Sequence, residues 1–348
     1  MVPVVDLSRR GQRFASRFAK AAERIAASGS FLMGAELSAF ESEFAQWLAA
    51  QHCVAVSSGA SALQLALAAA GIGPGDEVLV PSFTAVPTAS AVAALGAIPR
   101  AIDVDPTTAC ITTDTVAAGR TNRTKAVIIV HLYGYPADLP DTDLLIIEDA
   151  AQAHGALRDP GRSAATAYSF YPTKNLGGIG DGGAVVTDRA DLAERVRRLR
   201  VHGMTSQYVH EDVSQNFRLS EIEAAWLRLA LEDLTGDVES RRTIAARYRQ
   251  AAPHLCWQAA HPMHAYHLAV LRSPDRTEVR AELEAGGVGT AIHYPLAITQ
   301  QPAYRDLEHA SCPISDSWAA ECLSVPCFPE MTEAEIDQVG AALARLTQ

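Results

Sequence analysis

Three short segments of this chain bring together residue types that can do chemistry. In YSFYPTKNLGGIGDGGAVVT, Lys174 sits in a loop after a predicted strand, with glycine-rich sequence behind it. A lysine at the mouth of an apolar crevice has its pKa lowered, as a nucleophile that forms a Schiff base requires; a lysine in an open loop is merely solvated. In IIEDAAQAHG, Asp149 ends an apolar run and Gln152 follows three residues later. A carboxylate in that position is costly unless a cation pairs with it. A protonated pyridine nitrogen would meet the need, with Gln152 hydrogen-bonding a phenolic oxygen of the same ring; an Asp that caps a following helix is the plainer alternative. In SSGAS, Ser57 to Ser61, small residues let backbone N–H groups approach an anion at a helix N-terminus, although a tight strand-to-helix turn asks for the same residues.

The elements that must position these segments follow from hydrophobic patterning. Residues 14–27 and 36–50 carry apolar positions at helical spacing and predict two opening helices. HCVAV, DEVLVPS, IPRAIDVD, KAVIIVHLYG and DLLIIEDA read as strands, most of them separated by helices or turns. Their apolar runs do not alternate, so the strands are buried on both faces of a mainly parallel sheet flanked by helices, and the class is α/β. Ligands of such sheets gather outside the carboxyl ends of the strands, where the three segments fall. Residues 189–202 and 218–235 predict further helices, and Gly236-Asp237 reads as a break before ESRRTIAARYRQ. The shorter elements beyond it (YHLAVL, TEVRAELEAGG, EAEIDQVGAALARL) predict a smaller α+β domain. The expected division is 1–237 and 238–348, with the N-terminal helices able to pack on the second part. Gly178, Gly180 and Gly183 spell G-x-G-x-x-G, but they precede the strand AVVT instead of opening a helix after one, which argues against a nicotinamide or flavin enzyme.

Composition bounds the rest. A chain of 348 residues, 48% hydrophobic and 20% charged, can bury a large core and divide in two. A net charge of -11 without any basic run disfavours nucleic acid as a partner. No apolar stretch reaches about 18 residues, and no apolar signal segment follows the first basic residues, so the expectation is a cytoplasmic protein with no membrane partner. Cys53, Cys110, Cys256, Cys312, Cys322 and Cys327 lack metal-ligand spacing and read as buried free thiols, with no metal expected.

With Asp149, Gln152 and Lys174 in this order, the chain resembles the pyridoxal-phosphate-dependent sugar aminotransferases of the DegT/StrS family. The likeness runs from VVDLSR to the last helix through GPGDEVLVPSFT, VHLYGYPADL, EDAAQAHGA, SFYPTKNLGG, GDGGAVVT, QNFRLSEIEAA and AIHYPL. It implies a fold-type-I transferase that uses pyridoxal 5'-phosphate and works as a homodimer with sites shared at the interface. It further implies that Lys174 binds the cofactor aldehyde, Asp149 pairs with the pyridinium and Gln152 contacts the ring hydroxyl. The phosphate would be held by the Gly59-Ala60 backbone and Ser169, completed by Asn216 of the partner subunit, with Arg218, His293 and Tyr294 near the substrate. The ring then accepts the electron pair released when an amino acid loses its α-proton, and Lys174 shuttles that proton. The implied reaction converts the keto group of a nucleotide-linked sugar or cyclitol to an amine, with glutamate or glutamine as donor, in amino-sugar or antibiotic biosynthesis.

The chain departs from the family pattern at three points. Ala85 stands where the family has an aromatic ring stacked on the pyridine, a loss worth about 0.5–1.5 kcal/mol. Phe83 is the neighbouring ring that could substitute, although adjacent strand residues face opposite ways. Ala60 replaces a common Thr in the phosphate site, and the chain is short between LYGYPADL and IIEDA. Two alternatives compete with transamination. One is a non-transaminating enzyme of the same fold, such as a dehydratase, in which histidine replaces the lysine. The other is an inactive cofactor-binding regulator. The retained Lys174 argues against the first, and the intact Asp149, Gln152 and Lys174 set against the second.

Overall fold

A computed structural model describes residues 1–156 and 162–347. The chain opens on α1 (Leu7–Ser28), started by Asp6, whose carboxylate accepts from the Ser8 N–H, and stopped by Gly29 at φ 68. α2 (Ala35–Trp47) follows, then the alternation β1 (His52–Val56), α3 (Gly59–Ala69), β2 (Glu77–Pro81), α4 (Pro87–Ala93), β3 (Ile98–Ile102) and α5 (Thr113–Gly119). Next come β4 (Thr124–Val130), β5 (Leu145–Asp149), β6 (Ala165–Ser169), β7 (Gly183–Thr187) and α6 (Ala190–Leu199).

These seven strands form one sheet in the order β1-β7-β6-β5-β4-β2-β3. β2 to β6 pair in parallel, while β7 runs against both its neighbours. The apolar runs imply two covered faces, and both are covered. Along β1 and β7, Val54, Val56 and Val185 join the core under α3 and α6, while Cys53, Ala55, Ala184 and Val186 face the second core, built with Phe40, Phe44 and Trp226. The expected α/β class, with a mainly parallel sheet between helices, is therefore the observed one.

An exposed hairpin, β8 (Met204–Ser206) and β9 (Val209–His210), leads to α7 (Glu221–Ala251), a single helix of 31 residues. The break expected at Gly236-Asp237 is absent. One glycine costs about 1 kcal/mol in a helix, and Leu234, Val238 and Arg241, buried on either side of it, anchor both halves. The boundary expected at 237 thus falls inside a continuous helix. α7 leads to β10 (Cys256–Trp257), β11 (Ala269–Arg272), α8 (Arg276–Ala285), α9 (Pro313–Glu321), β12 (Cys322–Val325) and α10 (Glu333–Arg345). The last three strands make an antiparallel sheet of their own. Val2 pairs with Val288 in the core of this second unit, whereas α2 packs on α7 and β1. Gln348, the final residue of the expected small domain, lies outside the described residues. Five cysteines are buried, but Cys256, on the edge strand β10, is exposed.

Candidate active site

The carboxyl ends of β1, β2, β4, β5 and β6 converge on one cleft of ≈ 510 Å³, lined among others by Gly59, Ala60, Ala85, Asp149, Gln152, Ser169, Lys174 and Tyr294. Each wall has a local cause. Ser58 caps α3 by accepting from the Ser61 N–H at 3.1 Å, and the first-turn N–H groups of Gly59 and Ala60 have no intrahelical acceptor. A Cβ on Gly59 would sit 2.6 Å from that of Ser169, so only glycine lets the helix start approach β6. The result is a cradle of free backbone donors beside a serine, suited to a phosphate.

Asp149 is buried at the end of β5. Its Oδ2 accepts from the Thr88 hydroxyl at 2.9 Å and its Oδ1 from the Ala151 N–H at 3.1 Å. Burial pushes its pKa up, against the pull of those donors and of nearby Lys174. Residues 150–156 form turns with no helix among them, so the capping alternative has nothing to cap.

Gln152 is oriented without ambiguity. Its Oε1 accepts from the Tyr133 N–H at 2.6 Å, which makes Nε2 the end that donates to the Tyr294 hydroxyl at 3.0 Å. An amide nitrogen carries two hydrogens, so one N–H remains for an acceptor in the cleft. The turn after β4 presents that Tyr133 N–H by adopting φ 62 at Tyr133 and φ 98 at Gly134.

Lys174 projects from a turn in which its N–H donates to the Tyr171 carbonyl at 2.8 Å. Burial lowers its pKa to about 8, opposed by the Asp149 carboxylate. The chain contains three lysines, and the other two, Lys20 and Lys125, are exposed on the surface.

Four expected residues lie elsewhere. Phe83 lies in the bend after β2, fully buried and stacked on Trp318 with centroids 5.8 Å apart, so it supplies no ring to the cleft and Ala85 leaves that side open. His293 turns away from Tyr294 into a separate cavity of ≈ 70 Å³ with Thr173, Arg241 and His267. There its Nδ1 lies 2.9 Å from the Ser324 hydroxyl, and burial, followed by the charge of Lys174, lowers its pKa to about 4. Asn216 and Arg218 lie outside the cleft of their own chain, where Arg218 Nε donates to Asn216 Oδ1 at 2.8 Å and Asn216 is exposed. Tyr294 does face the cleft, its hydroxyl pushed up to about 12 by burial.

Sequence reasoning missed Thr88, the side-chain donor to Asp149. Its position in PTASAV, at the start of α4, carries no signal that it reaches a carboxylate 61 residues away. Tyr171 and Asp181, which also line the cleft, fall in loops and carry no signal of their own. Among the described residues no cluster of His, Cys, Asp and Glu could hold a metal, and no helix is long and apolar enough to cross a membrane.

The fit to pyridoxal 5'-phosphate is direct. A buried carboxylate that needs a cation, an amide with one spare donor, an amine of lowered pKa and a phosphate cradle surround one cleft. Asp149 would hold the ring nitrogen, Gln152 the ring oxygen, Lys174 the aldehyde, and Gly59, Ala60 and Ser169 the phosphate. Fold and site together define a fold-type-I pyridoxal-phosphate transferase.

The chain belongs to the DegT/DnrJ/EryC1/StrS aminotransferase family, whose model matches residues 12–344. It is 42% identical over 361 residues to the erythromycin biosynthesis sensory transduction protein EryC1 of Saccharopolyspora erythraea, covering 98% of each chain. It is 41% identical to the dTDP-3-amino-3,4,6-trideoxy-alpha-D-glucose transaminase of Streptomyces venezuelae, over 95% of this chain and 92% of that one. The crystal structure of S. venezuelae DesV in complex with a ketimine intermediate superposes with a TM-score of 0.93 at 39% identity, covering 99% of this chain and 97% of that one. The protein is accordingly a pyridoxal-phosphate-dependent aminotransferase.

Proposed function

We propose that the protein transfers an amino group from glutamate or glutamine to the keto group of a nucleotide-linked sugar or a related cyclitol, in amino-sugar or antibiotic biosynthesis. The observation that carries this reading is the convergence of Lys174, Asp149 and the oriented Gln152 on one cleft. The substrate class takes its support from the Streptomyces transaminase, which matches nearly end to end. When bound, the cofactor supplies an electron sink for the carbon that loses its proton. Asp149 would keep the ring nitrogen protonated, the spare N–H of Gln152 would donate to the ring oxygen, and the Lys174 amine would accept and return the proton. Val86, Pro87 and Leu132 give the cleft apolar walls, and the small side chain of Ala85 would leave room for a substrate beside the cofactor.

The working form in this reading is a homodimer. Phe31, Leu32 and Met33 are exposed and adjoin the segment that carries Asn216, since Leu32 bridges to Ser220 and the Glu221 N–H donates to the Phe31 carbonyl. Joining two copies across that patch would let Asn216 of the partner subunit complete the phosphate site, with Arg218 beside it near the substrate. The same reading makes the enzyme cytoplasmic, with a cofactor-binding part over 1–237 and a smaller part over 238–348 joined through α7.

A regulatory role takes support from the name of the Saccharopolyspora relative. The complete Lys174, Asp149 and Gln152 set opposes it, because constellations of perturbed charge gathered in one cleft mark working sites. The absorbance of the cofactor-loaded protein decides between them. On titration with glutamate, transamination predicts loss of the lysine-bound band and growth of the amine form, reversed by a dTDP-linked keto-sugar; a spectrum indifferent to every amino donor would favour the regulator.

A further inference from the structure

The loop that carries Lys174 is irregular between β6 and the Gly177-Gly178 turn, so its carbonyls need donors from elsewhere. α1 supplies one. Arg10 reaches behind the loop, where its Nη1 donates to the Pro172 carbonyl at 3.1 Å and to the carbonyl of Lys174 itself at 3.0 Å. Arg10 is only 4% exposed, and its charge is met by Glu330 at 3.6 Å, in the segment before α10. Gly177 makes room for the contact, since a Cβ there would lie 2.5 Å from Arg10 Nη1 and 2.2 Å from the Pro172 carbonyl oxygen. The helix also bears on the loop by a second route. Phe14 and Phe18 pack edge-on against Trp226, with centroids 5.5 and 5.2 Å away, and the Trp226 indole N–H donates to the Gly177 carbonyl at 3.0 Å.

An apolar side chain could fill the place of Arg10 without burying a charge, but it would leave two loop carbonyls unpaired, one of them belonging to the reactive lysine. We propose that Arg10 is a positioning residue for Lys174. By pinning the lysine's own carbonyl it fixes the backbone from which the amine reaches the cleft, which makes the N-terminal helix part of the machinery of the site. Arg10 does not line the cleft. The inference rests on the assignment of Lys174 as the cofactor-binding lysine.

The test uses the full chain with Arg10→Met and Arg10→Lys. In cofactor-free protein, hydrogen exchange of the 171–178 amides should quicken about tenfold or more in Arg10→Met relative to those of β5 and β6. In cofactor-loaded protein the dissociation constant for pyridoxal 5'-phosphate should weaken about tenfold or more, and the pH midpoint of the lysine-bound absorbance should move. Arg10→Lys should recover part of each change, because an ammonium can still reach a carbonyl. If Arg10→Met folds with the exchange, affinity and midpoint of the wild type, the proposal is overturned even if its melting temperature falls. If Arg10→Met does not fold, Arg10→Lys decides, and a wild-type midpoint and exchange pattern there overturns it. Failure of the underlying reading looks different, since the wild-type protein would then not carry the cofactor on Lys174.

Discussion

Lys174 and Asp149 act on each other's charge, and two predictions belong at that scale. Only the neutral amine attacks an aldehyde, and its folded pKa is about 8 against an ordinary value of about 10.4. The rate at which cofactor-free protein captures pyridoxal 5'-phosphate should therefore rise with pH through a midpoint near 8. Asp149→Asn should lower that midpoint, because the carboxylate favours the ammonium. Stopped-flow absorbance across pH checks both, and a wild-type midpoint near 10 would contradict the burial argument. The linked stability has a definite sign. Below about 8 both states are protonated; between 8 and about 10.4 the unfolded chain alone keeps the proton, so the stability contributed by this group rises with pH there. The second prediction concerns Thr88. Thr88→Val removes a donor from a buried carboxylate, a loss of about 1–3 kcal/mol. Turnover should fall about tenfold or more with the donor's KM little changed, and Thr88→Ser should restore it. Steady-state kinetics with glutamate as donor distinguish this from a residue that merely fills space, for which valine would serve as well as serine. Lys174, Asp149 and Gln152 were legible in the sequence because each belongs to a short string whose chemistry is local. Thr88 and Arg10 were not, because their partners lie 61 and 164 residues away along the chain.

At the scale of elements, two glycines should behave oppositely. Gly178 packs against Glu223 of α7 so closely that a Cβ would fall 1.5 Å from Oε1, and Glu223 is itself a carboxylate raised by burial to about 7. Gly178→Ala must displace the Lys174 loop or the first turn of α7, at about 1–3 kcal/mol and with weakened cofactor binding. Gly236, in mid-helix, has open space where a Cβ would stand, with no atom within 4 Å, so Gly236→Ala should stabilise the protein by about 0.5–1 kcal/mol without touching the site. Thermal melts with and without cofactor check the pair. Gly236 also explains why the expected break is missing. A Gly-Asp pair is a turn signal in isolation, but a helix whose two halves are held by different cores continues through it. Similarly, sequence adjacency offers Phe83 as a stacking ring, but the bend after β2 sets its direction, and that direction is toward Trp318.

For the whole molecule, the apolar runs made the parallel sheet readable, and with it the end of the sheet where ligands gather. Nothing in QNFRL says that Asn216 and Arg218 lie outside the cleft of their own chain, and the assignment of Asn216 to a partner's site comes from the family resemblance alone. Hybrid dimers give the corresponding prediction. Lys174→Ala and Asn216→Ala proteins should each be impaired alone. Co-refolded, they should regain activity, because one site of the mixed dimer combines Lys174 of one copy with the unaltered asparagine of the other. No recovery despite mixed dimers seen by mass spectrometry would contradict shared sites.

One amine carries the chemistry proposed for this cleft, and it can be trapped. Borohydride reduction of the cofactor-loaded protein, followed by peptide mapping, should place the pyridoxyl group on Lys174 alone, with the label lost in Lys174→Ala. A label on Lys20 or Lys125, or one that persists after Lys174 is removed, would contradict the assignment and everything built on it.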